Sequence, residues 1–216
     1  MKKALLVWGG WDGHEPKESI EAAAEMLKTE GFETKITDTL ESYLDSENLN
    51  SLDLIVQSWT MGEISDEQVG GLLAAIKNGV GFAGWHGGTG DSFRNSFEFQ
   101  FMVGGQFVAH PGNMIDFDVN ITKPDDPIVA GIEDFKINSE QYYMHVDPGN
   151  EVLATTTFSG KHDSIDWIKG TAMPVIWKRN YGKGKVFYCS LGHVAKELEI
   201  PQLREIIKRG MLWASK

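Results

Sequence analysis

The segment Gly84-Trp85-His86-Gly87-Gly88 carries the Gly-x-His-x-Gly spacing of a nucleophile elbow, with histidine where serine or cysteine ordinarily stands. Glycines on both sides allow a strained strand-to-helix turn that projects the central side chain into a cleft. An imidazole held there can act as acid, base, electrophile or metal ligand. A histidine that merely bonds to neighbouring backbone would not need those flanking glycines. More groups of the same chemistry follow along the chain: His110 before Pro111, Glu140, Tyr142, and His193 after Gly192. No His-x3-His pair is present, so a metal site would have to be assembled from distant segments. Histidine, carboxylate and a divalent ion such as zinc form a compatible set, and His86, His110 and His193 are the candidate ligands.

A second cluster follows the first apolar run, where Gly9, Gly10, Trp11, Asp12, Gly13 and His14 stand together. The Gly-x-Gly-x-x-Gly order of a dinucleotide loop is absent, and Trp11 with Asp12 puts bulk and negative charge where a pyrophosphate needs bare amides. Gly182-Lys183-Gly184-Lys185 likewise lacks the length and the following helix of a phosphate loop and reads as a turn. Trp8, Trp11, Trp59 and Trp85 all fall at the ends of apolar runs. Trp8 reads as core; the other three offer flat apolar faces suited to a sugar ring, whose C–H faces stack while its hydroxyls hydrogen-bond. Gly10, Trp11, His14, Trp59, Trp85, Gly87 and Tyr142 are therefore the candidate substrate contacts. His145 and His162 lie in polar stretches and read as solvated, and Cys189 sits inside an apolar run and reads as a buried, inert thiol.

These residues need a scaffold that brings strand ends together, and the first half of the chain supplies one. Ala4–Trp8, Phe32–Asp38, Leu52–Gln57 and Val80–Trp85 read as strands. A helix from Pro16 buries Ile20, Ala23, Ala24 and Leu27, and a second, opened by a Ser65/Gln68 capping box, buries Val69, Leu72, Leu73 and Ile76. The order β-α-β-β-α-β predicts an α/β doubly wound, mostly parallel sheet with helices on both faces, in which ligands bind beyond the carboxyl ends of the strands. Farther on, Met114–Ile121 and Glu151–Phe158 read as strands. Met173–Lys178 and Lys185–Leu191 flank a hairpin turn at Tyr181–Gly184, and a last helix from Pro201 buries Leu203, Ile206, Ile207 and Met211.

The 216 residues are expected to form one domain, 1–216, since no linker, repeat or compositional break divides them. The charge balance, 20 − 31 = −11, repels polyanions, so nucleic acid and anionic membrane are not expected partners. The apolar run at the start spans only Ala4–Trp8, too short for a signal peptide or a membrane span. With a single cysteine the chain suits a reducing compartment, and a cytoplasmic location is expected.

Several segments together resemble the ThuA-like family, trehalose-utilisation proteins related in fold to class I glutamine amidotransferases. They are Gly9-Gly10-x-x-Gly13-His14, Gly81-Phe82-x-Gly84-x-His86-Gly87, Gly104-Gly105-x-Phe107-x-x-His110-Pro111, Glu140-x-Tyr142, and Pro174-Val175-x-Trp177 through Tyr181-Gly182-x-Gly184 to Leu191-Gly192-His193. The resemblance spans most of the chain and implies a flavodoxin-like amidotransferase fold in which His86 replaces the catalytic cysteine and His193 lies near the old triad histidine. Glutamine hydrolysis by a cysteine is therefore not expected. Ser139 precedes Glu140 where many relatives are expected to carry an acidic residue.

The resemblance further implies a role in sugar catabolism, with a divalent metal in some members and a small-molecule sugar as substrate; the sequence is also compatible with a homo-oligomer. A ketone at one sugar carbon acidifies the neighbouring C–H, so a base and an oxyanion stabiliser suffice for isomerisation or elimination, with hydrolysis a related outcome. His86, Glu140 and His193 are the expected catalytic residues, with His86 or Glu140 taking the proton, and His110 and His193, directly or through a metal, stabilising the enediolate. The alternative is a non-catalytic carbohydrate-binding or regulatory protein using the same rim.

Overall fold

A computed structural model describes residues 1–216. Eleven strands form: β1 Lys3–Gly10, β2 Glu33–Thr37, β3 Leu54–Thr60, β4 Gly81–Trp85, β5 Gly105–Ala109, β6 Met114–Ile121, β7 Phe135–Glu140, β8 Tyr143–Val146, β9 Glu151–Thr157, β10 Ala172–Tyr181 and β11 Gly184–Cys189. Six α-helices accompany them: α1 Pro16–Thr29, α2 Ser46–Ser51, α3 Asp66–Lys77, α4 Gly87–Gly90, α5 Phe97–Val103 and α6 Pro201–Ala214.

The main sheet has nine strands in the order β2-β1-β3-β4-β11-β10-β9-β6-β7. Strands β2, β1, β3, β4 and β11 are parallel neighbours. Beyond β11 every pairing is antiparallel, so only β10 and β6 run against the common direction. β7 consequently points its carboxyl end the same way as β4 and β11.

Period-two alternation places the layers. In β1, Ala4 and Leu6 join the core beneath α1 and α6, while Leu5 and Val7 join the core beneath α3 and α5. Both faces are thus covered, which is what a parallel sheet requires. The Ser65–Gln68 capping box opens α3 as its spacing predicts, with Ser65 Oγ accepting from the Gln68 amide at 3.2 Å and Gln68 Oε1 accepting from the Ser65 amide at 3.0 Å. The hairpin β10–β11 turns where Tyr181 faces Gly184, and it extends the sheet by laying β11 parallel to β4.

The structure departs from the sequence reading where patterns are short. β1 and β3 run on to Gly10 and Thr60, because their final residues pair with one another across the parallel ladder. β5 and β8 form a separate two-stranded sheet, and α2 and α5 are additional helices of six and seven residues. Elements of this length carry too few periods to announce themselves.

Candidate metal and catalytic site

β4 delivers His86 to the rim. His86 sits at φ 45°, ψ −144°, a region that non-glycine residues rarely occupy, and the turn continues directly into α4. The elbow expected from the glycine spacing is therefore present. A Cβ on Gly84 would collide with the Thr89 side chain and the Gln57 carbonyl, and one on Gly88 would collide with Ser58. The turn is locked by the His86 amide donating to the Cys189 carbonyl at 2.7 Å and by the Tyr188 hydroxyl donating to the His86 carbonyl at 3.1 Å.

The His86 ring is 1% exposed. Its Nδ1 lies 2.8 Å from the Ser190 carbonyl oxygen, which can only accept, so in the neutral ring the hydrogen resides on Nδ1 and Nε2 presents its lone pair inward. Facing that lone pair, Glu140 Oε2 stands at 3.1 Å and His193 Nδ1 at 3.2 Å. His193 Nδ1 is also 3.4 Å from Glu140 Oε2, and His14 Nε2 is 3.9 Å from the same oxygen. The ligand atoms of His14, His86, Glu140 and His193 all lie within 4.8 Å of one another.

Four segments build this quartet. His14 ends a 3-10 turn, Asp12–His14, that follows β1, and its Nδ1 is anchored 2.8 Å from Thr60 Oγ1 at the end of β3. Glu140 ends β7. His193 follows β11 in a loop tied down by Glu197, whose Oε2 accepts from the amides of Gly192 at 3.2 Å and His193 at 3.0 Å and from Ser139 Oγ at 2.9 Å. In this chain the position before Glu140 thus supplies a hydroxyl donor to a buried carboxylate rather than a further acid.

The charges explain one another. Burial alone would raise the Glu140 pKa, but the hydrogen bond with His193 and the nearby imidazoles overcome it and hold the carboxyl well below the usual range. The hydrogen bond to Glu140 raises the His193 pKa, while burial and the neighbouring His86 and His193 push His14 down to about 3. His14 is therefore neutral, and its approach to Glu140 is not an ion pair. An inward lone pair on His86 beside an ionised carboxylate leaves a place for something positive. Either a proton on His193 or a divalent cation satisfies it, and a three-nitrogen, one-oxygen set fits a borderline metal such as zinc.

Around the quartet, Tyr142 is buried with its ring centroid 4.1 Å from that of His86, and burial raises its hydroxyl pKa well above the ordinary value. His110, expected as a ligand, stands instead against the other carboxylate oxygen, with Nε2 3.8 Å from Glu140 Oε1. It lies outside the four-residue set, with its ring stacked on Phe107 at 5.6 Å and its side chain 33% exposed. His14, expected to contact substrate, takes the fourth place in the quartet.

The aromatic expectations divide. Trp11 is 49% exposed and sets its edge against His14 with ring centroids 4.8 Å apart. Trp59 is half-buried against Gly9 and Gly62. Trp85 does not reach the rim: at 1% exposure it is part of the core on the α1/α6 face, because it shares a strand face with Ala83. Gly10 lies against the Thr60 backbone, and Gly87 provides the space taken by the His14 ring and the Tyr142 hydroxyl. His145 is exposed as expected, whereas His162 is half-buried against Gly112. Cys189 is fully buried and burial pushes its thiol up to about 12, the inert state expected of it. Surface clefts elsewhere, such as a groove of about 260 Å³ beside Phe97 and Phe101, are lined by other residues.

A family model for trehalose utilisation, ThuA, matches residues 3–214. No curated protein matches the chain in sequence. Among solved structures, a ThuA-like protein of Bacteroides uniformis superposes with TM-score 0.79 at 17% identity, covering 99% of this chain and 91% of the other. A ThuA-like protein of Parabacteroides merdae gives TM-score 0.77 at 18% identity, covering 99% and 89%. A cytoplasmic protein of Salmonella typhimurium gives 0.71 at 12% identity, covering 99% and 100%.

Proposed function

Because the chain belongs to the ThuA family of trehalose-utilisation proteins, we propose that it is a sugar-catabolism enzyme, one 1–216 unit, acting by metal-assisted acid/base chemistry on a keto-sugar or keto-disaccharide. The observation that carries this reading is the convergence of His14, His86, Glu140 and His193, from four separate segments, on one point beneath the elbow. A structural role would not need three imidazoles and a carboxylate buried together, since burying such groups costs free energy unless something specific is bound.

His14, His86, His193 and Glu140 would hold a divalent metal such as zinc. When bound, such an ion acts as a Lewis acid toward a ketone or enediolate oxygen. Both nitrogens of His86 are engaged within the protein, so the base that takes the proton from the carbon beside the ketone is assigned to His110, at the mouth and outside the quartet. The Tyr142 hydroxyl, which holds its proton, donates a hydrogen bond to the developing oxyanion. Return of the proton to the adjacent carbon gives isomerisation; loss of the glycosidic oxygen, which takes up a proton as it leaves, gives elimination. The exposed face of Trp11 stacks the remainder of the sugar outside the narrow mouth. A cytoplasmic location accords with one structural neighbour described as cytoplasmic, and no helix here is long and apolar enough to cross a membrane.

The test is incubation with 3-keto-disaccharides with and without chelator. Turnover that stops on chelation and returns with zinc is expected. Measurable sugar binding with no turnover in either condition overturns the reading in favour of a carbohydrate-binding protein.

A further inference from the structure

Glu197 is a buried carboxylate that takes no place in the quartet. Its Oε2 accepts three hydrogen bonds: Ser139 Oγ at 2.9 Å, the His193 amide at 3.0 Å and the Gly192 amide at 3.2 Å. Its Oε1 is buried with no partner. Ser139 is the residue before Glu140 on β7, and the two amides belong to the loop that carries His193 after β11. These segments are far apart in the sheet order, with β10, β9 and β6 between their strands. One carboxylate oxygen is therefore the direct tie between the backbone that aims His193 and the strand end that aims Glu140.

An apolar residue of the same volume would leave the Ser139 hydroxyl and the Gly192 and His193 amides without an acceptor, and because these donors belong to the two segments that aim Glu140 and His193, the carboxylate that satisfies them also constrains the distance between those segments. Charge-assisted bonds are short and directional, and outer-shell partners of this kind hold metal-binding side chains in place. We propose that Glu197 is a positioning residue that fixes the separation between Glu140 and His193, and thereby the geometry in which the quartet receives a divalent metal. The proposal rests on the metal reading above.

The experiment measures zinc affinity of the metal-free full chain by competition with a chromophoric chelator, for the unmodified protein, Glu197→Gln and Ser139→Ala. Glu197→Gln keeps the shape but removes the charge and turns an amide toward donors; a loss of about 10-fold to 100-fold is expected. Ser139→Ala cuts only the tie to β7 and is expected to lose less, in the same direction. Imidazole 1H–15N spectra of the metal-free proteins should show the His193 and His86 ring signals displaced in Glu197→Gln, which a merely structural role would not produce. A folded Glu197→Gln with unchanged zinc affinity and unchanged ring signals overturns the proposal. If Glu197→Gln does not fold, Ser139→Ala decides by the same two readouts. If the unmodified protein binds no zinc, the metal reading has failed, and the ring signals alone judge whether Glu197 sets the pair.

Discussion

His86 Nε2 lies 3.1 Å from Glu140 Oε2, although the strands that deliver them, β4 and β7, are five places apart in the sheet. Neighbouring strands are ~4.8 Å apart, so a flat sheet would separate the two by ~24 Å. The distance closes because β6 is in ladder register with β9 only at Asn120 and Ile121, at its end, with the Thr156 hydroxyl of β9 donating to the Asp118 carbonyl as a further tie. The rest of the ribbon is free to curl over the rim, where Phe117, Val119, Phe135 and Ile137 pack into the same core as Trp85 and Leu198. Hydrophobic packing of an otherwise loose ribbon thus brings the carboxylate to the imidazoles.

If the quartet is a metal site, its members should be unequal to the residues beside them. Glu140→Gln, which preserves shape, and His14→Ala are each expected to weaken zinc binding by more than the roughly 10-fold to 100-fold typical of outer-shell changes. His110→Ala, outside the quartet, should leave zinc affinity within a few-fold of normal while abolishing turnover of a keto-sugar. Isothermal titration with zinc alongside a turnover assay separates the two; a His110→Ala protein that loses zinc as severely as Glu140→Gln would return His110 to the ligand set.

The His86 elbow makes a prediction about stability. Alanine ordinarily exceeds glycine by about 0.5–1 kcal/mol in regular structure, and both substitutions here would empty the same ring-sized space. At φ 45°, ψ −144°, however, a Cβ is strained at a cost of order 1–3 kcal/mol. His86→Gly should therefore be more stable than His86→Ala, by about 1 kcal/mol or more in urea unfolding. The ordinary order, alanine above glycine, would show that the turn relaxes once the imidazole is gone.

Trp11 and Trp85 should behave as opposites despite similar positions after apolar runs. Trp11→Ala removes a half-exposed ring beside His14 and is expected to raise KM for the sugar about fivefold with little change in Tm, a typical aromatic contact being worth ~1 kcal/mol. Trp85→Ala empties the core and should cost about 3–5 kcal/mol. Thermal melts and saturation kinetics on the pair check this, and a Tm loss from Trp11→Ala comparable to that from Trp85→Ala would contradict the assigned roles.

That contrast also marks what the sequence could tell. Strand parity alone would have placed Trp85 with Ala83 on the α1/α6 face, away from Phe82 and the opposite core; the rim reading attended to the strand end and passed over parity. The elbow was legible because Gly84 and Gly88 are local requirements of a local turn, and the five parallel strands were legible from apolar runs and capped helices. The exchange of His110 for His14 was not. Which of two histidines reaches Glu140 Oε2 depends on the curl of the β6–β7 ribbon and on the Thr60 hydroxyl that anchors His14, and both are products of the complete fold. Glu197 is not legible in the sequence because its partners are two backbone amides and a serine hydroxyl on a distant strand, contacts that no spacing in the chain encodes.

The buried thiol supplies a pH prediction whose sign can be worked out. Burial favours the neutral form of Cys189 and raises its pKa from 9.0 to about 12. Below about pH 9 the thiol is protonated in both folded and unfolded chains, so its contribution to stability is fully present. As pH rises past that value the unfolded chain releases the proton while the folded chain keeps it, and the contribution is lost progressively until the folded thiol itself titrates near pH 12. The stability advantage of the unmodified protein over Cys189→Ala should therefore be constant from pH 7 to 8 and shrink by up to ~1.4 kcal/mol per pH unit above pH 9. Urea unfolding of both proteins at pH 7, 8, 9.5 and 10.5 checks this. A difference that stays flat to pH 10.5 would mean that the Cys189 pocket admits water or a counter-charge that the folded core does not display.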